Sequence, residues 1–302
     1  MSYNPLVSVI MPFYNQQEYL LDAVNSVLAQ DYTNLELVVV DDASSNCDAR
    51  QLLSHIPSRT LKVFRNQTNL GSAVSRNRAI LESSGELLLP LDSDDLLESS
   101  YLRETVPLIA DTNVGGVFTD IRLFGDRDLV FSPDTTLISL MAGSTCPPNT
   151  FLFKRLLRDE LGGYKEDMRF GEDREFWIRA LSSGWQFKHL PKALYRYRKH
   201  AGGKSNLYRS ARFLNQFRQN RSLYLEHLDE VLACREDTVW QHADDYEHLH
   251  KEFHLLLDNY RKLEEECKKL SIESRLSIRR QIARKVKDLC KSNFKKVFQV
   301  RR

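Results

Sequence analysis

Two clusters of carboxylates follow apolar runs that have the length and composition of buried strands. Asp92-Ser93-Asp94-Asp95 comes directly after the run 86–91, and Asp41-Asp42 comes after the run 35–40. Clustered carboxylates repel one another unless a cation neutralises them. Mg²⁺ and Mn²⁺ take oxygen ligands, commonly one or two carboxylates together with phosphate oxygens. The first cluster therefore indicates a divalent metal on a diphosphate, where the ion offsets charge on a departing group.

Both clusters also have a structural interpretation. Asp95 precedes Leu96-Leu97-Glu98, so the first cluster is alternatively a solvated turn or a helix cap, as an isolated D-x-D usually is. Asp41-Asp42 is alternatively a turn or a helix N-cap, whereas in the functional interpretation one carboxylate accepts hydrogen bonds from a base or a ribose.

Three further residues have groups suited to nucleotide binding or proton transfer. Arg76 lies in a predicted helix after the turn Asn69-Leu70-Gly71, and either contacts a nucleotide or is a surface arginine. Asp173 lies at a predicted helix start, where it is a candidate general base, although the helix dipole favours acidic residues there in any case. His200 follows Arg198-Lys199 and is a candidate metal ligand beside phosphate-binding side chains, or else a surface histidine.

Alternating strands and helices must position these residues. Apolar runs predict strands at 7–11, 35–40, 61–64 and 86–91, and apolar residues at helical spacing predict helices at 18–30 and 72–82. Further on, strands are predicted at 117–118 and 151–153 and a helix at 174–183. This order predicts an α/β fold with a mostly parallel sheet flanked by helices. Ligands of such sheets bind beyond the carboxyl ends of the strands, where both carboxylate clusters lie.

The second part of the sequence predicts only helices. We place a domain boundary near residue 207, with a catalytic domain at 1–206 and an all-helical extension at 207–302. Apolar residues at 246–270 recur in steps of three and four, over slightly more than three heptads. This segment either pairs with a second copy as a coiled coil, giving a homodimer, or packs as an amphipathic helix on the catalytic domain.

The last segment, 275–302, is strongly basic. It contains eleven Lys or Arg and one acid, Asp288, so the formal net charge of +2 leaves about −8 for the rest of the chain. A basic amphipathic helix is typical of contact with an anionic membrane surface. Nucleic-acid binding is disfavoured, because the body is acidic and few aromatic residues accompany the basic ones. A solvated tail is the remaining alternative.

Composition limits the compartment and the function class. No run of about 18 apolar residues predicts a membrane span, and residues 1–6 do not resemble a signal peptide. The five cysteines are odd in number and lack zinc spacing, which favours a reducing, cytoplasmic compartment. If the basic segment 275–302 contacts a membrane, we expect peripheral contact at the inner face of the cell membrane. Neither G-x-G-x-x-G nor a P-loop motif occurs, which argues against dinucleotide oxidoreductases and P-loop enzymes.

The order of these motifs resembles the family 2 glycosyltransferases. The matching segments cover roughly the first two thirds of the chain. They are residues 7–15, 38–44, 69–71 with 76–77, 85–86 with 91–95, 171–176, and 197–198 with His200. The resemblance implies the GT-A fold of nucleotide-diphospho-sugar transferases and an inverting single displacement, with a UDP-sugar as the usual donor and Mn²⁺ or Mg²⁺ as cofactor.

The resemblance also implies a role for each site residue. It places Pro12 and Tyr14 in the base pocket, Asp42 on the uracil ring with Arg76 nearby, and Asp92 at the ribose. It makes Asp94 a metal ligand, Asp173 the catalytic base and His200 a residue that holds the metal or the diphosphate.

Two departures from the family pattern refine the expectation. Ala79 stands where the family often has glycine, a mild change within a helix. The Q-x-x-R-W segment of processive polymer synthases is absent. We therefore expect a non-processive transferase that acts on a glycan or lipid-linked acceptor in cell-surface polysaccharide synthesis. A sugar nucleotidyltransferase or a non-catalytic nucleotide-binding scaffold are the alternatives; the first usually has a Gly-rich phosphate loop, and the complete acidic set argues against the second.

Overall fold

A computed structural model describes residues 3–56, 59–142, 149–168, 171–200 and residue 227 of the 302-residue chain. Nine strands lie in the described residues: β1 Val7–Phe13, β2 Leu35–Asp41, β3 Leu61–Arg65, β4 Leu87–Pro90, β5 Leu96–Leu97, β6 Val114–Gly125, β7 Leu129–Phe131, β8 Leu152–Lys154 and β9 Gln186–Lys199. The helices there are α1 Gln17–Leu28, α2 Ala49–Leu52, α3 Ser72–Leu81, α4 Tyr101–Thr105, α5 Leu137–Ala142, α6 Arg155–Leu161 and α7 Glu172–Ser182, with a 3₁₀ helix at Val106–Ile109. The predicted boundary at 207, coiled coil at 246–270 and basic tail at 275–302 lie outside the described residues.

All these strands join one sheet in the order β3-β2-β1-β4-β8-β6-β9-β5, with β7 paired to β6. The pairs β3–β2, β2–β1, β1–β4 and β6–β9 are parallel and contain most of the paired residues. The pairs of β8 with β4 and β6, of β5 with β9 and of β7 with β6 are antiparallel. The predicted α/β fold with a largely parallel sheet is confirmed.

The central strands form because they are buried on both faces. Residues Val7, Val9 and Met11 of β1 join one apolar cluster with the buried face of α1, whereas Ile10 is buried outside that cluster. Side chains alternate between the two faces of a strand, so Ile10 faces the opposite layer, where α3 packs on β1 and β2. The three layers hold the strand ends in fixed positions.

A buried carboxylate joins three of these strands at the edge opposite to the predicted site. Glu36 in β2 accepts hydrogen bonds from Ser8 Oγ (2.7 Å), Lys62 Nζ (2.8 Å) and the backbone N–H of Ser84 (2.6 Å). Burial alone raises the pKa of Glu36, but these donors outweigh it and lower the pKa to about 2. Ser8 Oγ also accepts a hydrogen bond from the N–H of Gly85, where an added Cβ would lie 2.5 Å from that oxygen.

Two differences from the sequence-based expectation concern residues near the predicted site. The 14-residue strand β9 is absent from the prediction, which assigns no strand to 186–199. The helix-cap interpretation of Asp95 is wrong, because β5 follows it and the next helix, α4, begins only at Tyr101. In the described part of the chain, no helix is long and apolar enough to cross a membrane.

Candidate active site

Three parallel strands bring the predicted donor-binding residues to one edge of the sheet. Tyr14 follows β1, Asp42 follows β2 and Asp92 follows β4, and β1 lies between the other two. The backbone N–H of Asp42 donates to the carbonyl of Phe13 (2.8 Å), which joins the two strand ends directly. Pro12 is half-buried within β1, and Tyr14 is 40% exposed, with its ring available to a ligand. The structure therefore places the predicted base-pocket residues together.

Both members of the Asp41-Asp42 pair are buried and hydrogen-bonded within the protein. Asp41 accepts from Arg65 NH1 at 2.5 Å, and Asp42 accepts from the N–H groups of Leu70 (2.9 Å) and Gly71 (2.8 Å) at the start of α3. Asp41 also accepts from the N–H of Ser44 (2.8 Å), as the turn interpretation predicts. The helix N-cap interpretation is wrong, because Asp48 is the N-cap of α2 and Gly71 that of α3. The base contact of Asp42 stays a prediction, and its position at the strand end is compatible with it.

Asp94 and His200 meet at the same edge of the sheet. Nε2 of His200 lies 3.1 Å from Oδ2 of Asp94, and Gln16 Nε2 donates to the same oxygen at 3.1 Å. The Gln16 amide oxygen also accepts from Ser93 Oγ at 3.1 Å, so one side chain holds the turn through two contacts. Burial and then the Asp92 carboxylate raise the pKa of Asp94, against the lowering effect of His200. A cation at this position would relieve that repulsion.

The position of His200 follows from β9. Antiparallel pairing of β5 with β9 aligns Leu96 with Arg196, so the end of β9 runs beside the Asp94-Asp95 turn. The buried Asp95 carboxylate accepts from the Tyr195 hydroxyl and from the backbone N–H of Arg198 (2.8 Å). Burial, with added repulsion from the neighbouring aspartates, raises the pKa of Asp95 well above its usual value. Asp95 therefore connects the turn to the strand that presents His200, and it is not a solvated turn residue.

Arg76 is buried, so the surface interpretation of this residue is wrong. Only 4% exposed, it donates from NH2 to Asp92 Oδ1 (2.7 Å) and from NH1 to Glu172 Oε1 (2.6 Å). Burial opposes its charge, but Asp92, Glu172 and Tyr164 together raise the pKa of the guanidinium. Arg76 thus joins the Asp92 loop to the start of α7.

Asp173 is the second residue of α7 and is half-buried. Its Oδ1 accepts from the N–H of Arg174 at 2.8 Å, within the first turn of the helix. Glu172, directly before it, is the residue that Arg76 binds. Asp173 is therefore linked to the Asp92 loop through its chain neighbour Glu172 and through the buried Arg76, which binds both Glu172 and Asp92.

The fit of a divalent ion rests on the pair Asp94 and His200. Among the described residues, no group of three or more His, Cys, Asp or Glu is arranged to hold a metal. Two protein ligands nevertheless suit Mg²⁺ or Mn²⁺, which bind with few side chains when substrate phosphates complete the shell. The 3.1 Å between Oδ2 and Nε2 is close to the roughly 3.0 Å between adjacent ligands of an octahedral site with bonds of about 2.1 Å. The residues present fit the ion.

Sequence reasoning did not assign three residues that the structure places at the site. Gln16 contacts Ser93 and Asp94, Asp95 anchors β9, and Glu172 binds Arg76. For Asp95 and Glu172, the signal available was adjacency to an assigned aspartate. Gln16 gives no such signal, because an amide side chain after a strand is ordinary in any loop.

The contact of Asp94 with His200 at the ends of parallel strands is the arrangement expected of the GT-A fold of nucleotide-diphospho-sugar transferases. The family model Glycosyl transferase family 2 matches residues 8–171. The chain therefore belongs to glycosyltransferase family 2, as the sequence analysis predicted, and it is a glycosyltransferase.

Curated relatives agree with this assignment. The chain is 30% identical over 208 residues to the putative glycosyltransferase EpsE of Bacillus subtilis. This match covers 66% of this chain and 74% of EpsE. It is 26% identical over 244 residues to the poly(ribitol-phosphate) beta-N-acetylglucosaminyltransferase TarS of Staphylococcus aureus. This match covers 75% of this chain but only 43% of TarS.

Solved structures share the fold. S. aureus TarS 1–349 in complex with UDP-GlcNAc superposes with a TM-score of 0.58 at 22% identity, covering 78% of this chain and 80% of that chain. The mannosyltransferase PcManGT from Pyrobaculum calidifontis, in complex with GDP-Man and Mn²⁺, gives a TM-score of 0.60 at 21% identity, covering 86% and 83%. At these identities the likeness shows the fold alone.

Proposed function

We propose that this glycosyltransferase moves a sugar from a UDP-sugar to a glycan or lipid-linked acceptor in cell-surface polysaccharide synthesis, with a divalent metal and with inversion. The observation that carries the proposal is the contact of Asp94 with His200 at the strand ends, joined through Asp92 and Arg76 to the helix of Asp173. This arrangement supports the proposal that a metal-bound diphosphate and a base share one site.

Asp94 and His200 would hold the ion, Mn²⁺ or Mg²⁺. A bound ion of this kind offsets the negative charge that develops on a departing diphosphate. Gln16 fixes Asp94 by a hydrogen bond, as outer partners of metal ligands commonly do. Tyr14 and Pro12 would line the base pocket, with Asp42 directed at the uracil ring, Arg76 behind it and Asp92 at the ribose.

Asp173 would act as the general base. It accepts the proton of the acceptor hydroxyl while that oxygen forms a bond to the anomeric carbon and the bond from that carbon to the diphosphate oxygen breaks. The nucleoside diphosphate leaves with the bonding electrons. Because attack and departure occur on opposite faces of the sugar, the anomeric configuration inverts.

Relatives support the donor and acceptor classes. TarS was solved with UDP-GlcNAc. The Escherichia coli enzyme WfgD, 33% identical over 125 residues, is a UDP-Glc:alpha-D-GlcNAc-diphosphoundecaprenol beta-1,3-glucosyltransferase, with a lipid-linked acceptor. PcManGT binds GDP-Man on the same fold, so the nucleotide must be tested directly.

Thermal unfolding of the purified chain with UDP, GDP, CDP or dTDP, each with and without Mn²⁺, tests the proposal. A ligand at 100 times its Kd stabilises the folded state by about 2.7 kcal/mol, which is roughly 5–10 °C for a domain of this size. We expect that shift with UDP only when Mn²⁺ is present, and we expect Asp94→Asn to lose it. Asp128→Asn is the matched control, because Asp128 pairs with Arg122 on the surface.

A metal-dependent shift with another diphosphate would correct the donor and leave the reaction class intact. If Asp94→Asn retained the metal-dependent shift in Tm, the proposed metal site at Asp94 would be wrong. If none of the four diphosphates stabilised the wild-type chain, the proposed donor site would be wrong and the scaffold alternative would be favoured.

A further inference from the structure

A buried arginine binds two carboxylates that come from distant parts of the sequence. The guanidinium of Arg76 lies between Asp92, 16 residues along the chain, and Glu172, 96 residues along the chain. With its amide oxygen turned toward Arg76, Asn149 accepts from Arg76 Nε at 2.9 Å and from NH2 at 3.2 Å. The Arg76 guanidinium also lies over the Tyr164 ring, 5.6 Å from its centroid. Arg76 is thus fixed from several directions.

The side chain of Glu172 points into the interior of the protein. Its Oε1 accepts from both Arg76 NH1 (2.6 Å) and Ser72 Oγ (2.7 Å), and the side chain is 9% exposed. A buried carboxylate without a counter-charge is strongly unfavourable, so Glu172 cannot leave Arg76 without a large cost in free energy. The start of α7 is therefore held against α3 by a charged contact and a hydroxyl.

That contact bears directly on the next residue. Glu172 and Asp173 are the first two residues of α7, and the first turn closes with a hydrogen bond from Glu175 N to Gly171 O at 3.0 Å. Adjacent residues of a hydrogen-bonded turn move together, so a fixed Glu172 backbone fixes the Cα of Asp173. Through Arg76, the same contact fixes Asp173 relative to Asp92.

We infer that Glu172 is a positioning residue, which acts through Arg76 to hold the base Asp173 at a set distance from the donor loop that contains Asp92. This inference rests on the proposed function, since it takes Asp173 as the base. Positioning matters because a misplacement of about 1 Å can reduce turnover about a hundredfold. Glu172 itself touches neither substrate nor reacting atoms in this assignment.

The test measures donor hydrolysis, in which water replaces the unidentified acceptor, in a double-mutant cycle of Glu172→Gln and Asp173→Asn. The donor is the UDP-sugar that the wild-type chain hydrolyses fastest with Mn²⁺, and UDP binding is measured in parallel. We expect Glu172→Gln to lower kcat by about 10- to 100-fold, with a KM and a UDP affinity close to those of the wild type, because Arg76 keeps its pair with Asp92. In the Asp173→Asn background, the same change should lower kcat less than twofold further, since the base it positions is gone.

Glu36→Gln is the matched control. Glu36 is a buried glutamate of β2 that pairs with Lys62 (2.8 Å), at the opposite ends of the strands from Arg76 and Asp173. Its replacement should lower the Tm, yet leave the kcat of the folded protein unchanged.

Three results would overturn the inference. Wild-type kcat in Glu172→Gln would show that Asp173 does not depend on Glu172. If Glu172→Gln lowered kcat by the same factor with and without Asp173, Glu172 would have a general structural role. If the wild type hydrolysed no UDP-sugar, the proposed donor chemistry would be overturned as well. This outcome is distinguishable from failure of the inference alone, because it is seen before any substitution is made.

Discussion

Replacement of Arg76 by methionine is expected to destabilise the fold strongly. The change keeps much of the side-chain volume but leaves Glu172, 7% exposed, without its counter-charge. Removal of one partner of a buried ion pair costs about 3–5 kcal/mol. The side chain of Asp92 is 33% exposed and is partly solvated once released, so the lower value, about 3 kcal/mol, applies.

The assay for Arg76→Met is thermal unfolding followed by circular dichroism. For a domain of 150–250 residues, about 3 kcal/mol corresponds to a fall in Tm of roughly 6–12 °C. Arg122→Met is the control, because both members of the pair Arg122–Asp128 are exposed and solvent screens their interaction, so its loss should change the Tm little. Equal Tm values for the two variants would refute the buried, charge-paired environment assigned to Arg76.

Two predictions concern the hydrogen-bonded group around Glu36. Its folded-state pKa of about 2 lies below the unfolded value of about 4.3, so its stabilisation is present above pH 4.3 and is lost as the pH falls toward 2. Glu36→Gln should therefore lower stability at pH 7 and flatten the acid-induced loss between about pH 5 and 2, measured by urea unfolding at each pH; an unchanged pH profile would contradict the low pKa. Gly85→Ala should cost about 1–3 kcal/mol, because its Cβ would lie 2.5 Å from Ser8 Oγ and 2.7 Å from the carbonyl of Leu6. A urea midpoint equal to that of the wild type would show that this contact relaxes freely.

The first half of the sheet could be predicted from the sequence because its strands are buried on both faces. Val7–Phe13 and Leu35–Asp41 are mostly apolar runs of strand length, and the intervening α1 has apolar residues at helical spacing. Each element therefore has a local signal that agrees with its place in the fold. Their order in turn placed the carboxylate clusters at the strand ends.

Strand β9 could not be predicted in the same way. Gln186–Lys199 contains Pro191 and six basic side chains, and most of its residues are half-buried or exposed. It is held by parallel pairing with β6, interrupted by register shifts around Asp120. The determinant is a long-range pairing with a bulge, which leaves no continuous apolar run in the sequence.

The residue types of the site could be predicted from the sequence, but the contacts between these residues could not. The aspartates and His200 were assigned from motif order, and the structure brings Asp94 and His200 together. The sequence gives no sign that Gln16 contacts Asp94, 78 residues later, or that Arg76 binds Glu172, 96 residues later. Such contacts depend on the path of the chain in space, which no local pattern encodes.

The most direct test of the account is donor hydrolysis by Asp173→Asn, measured together with its affinity for UDP and Mn²⁺. A positioned general base contributes about 10²–10⁴-fold to a rate. We expect kcat to fall at least about a hundredfold, while the affinity stays within about twofold, because Asp94 and His200 are unchanged. Wild-type turnover in Asp173→Asn would contradict the account, since the base would then be another group.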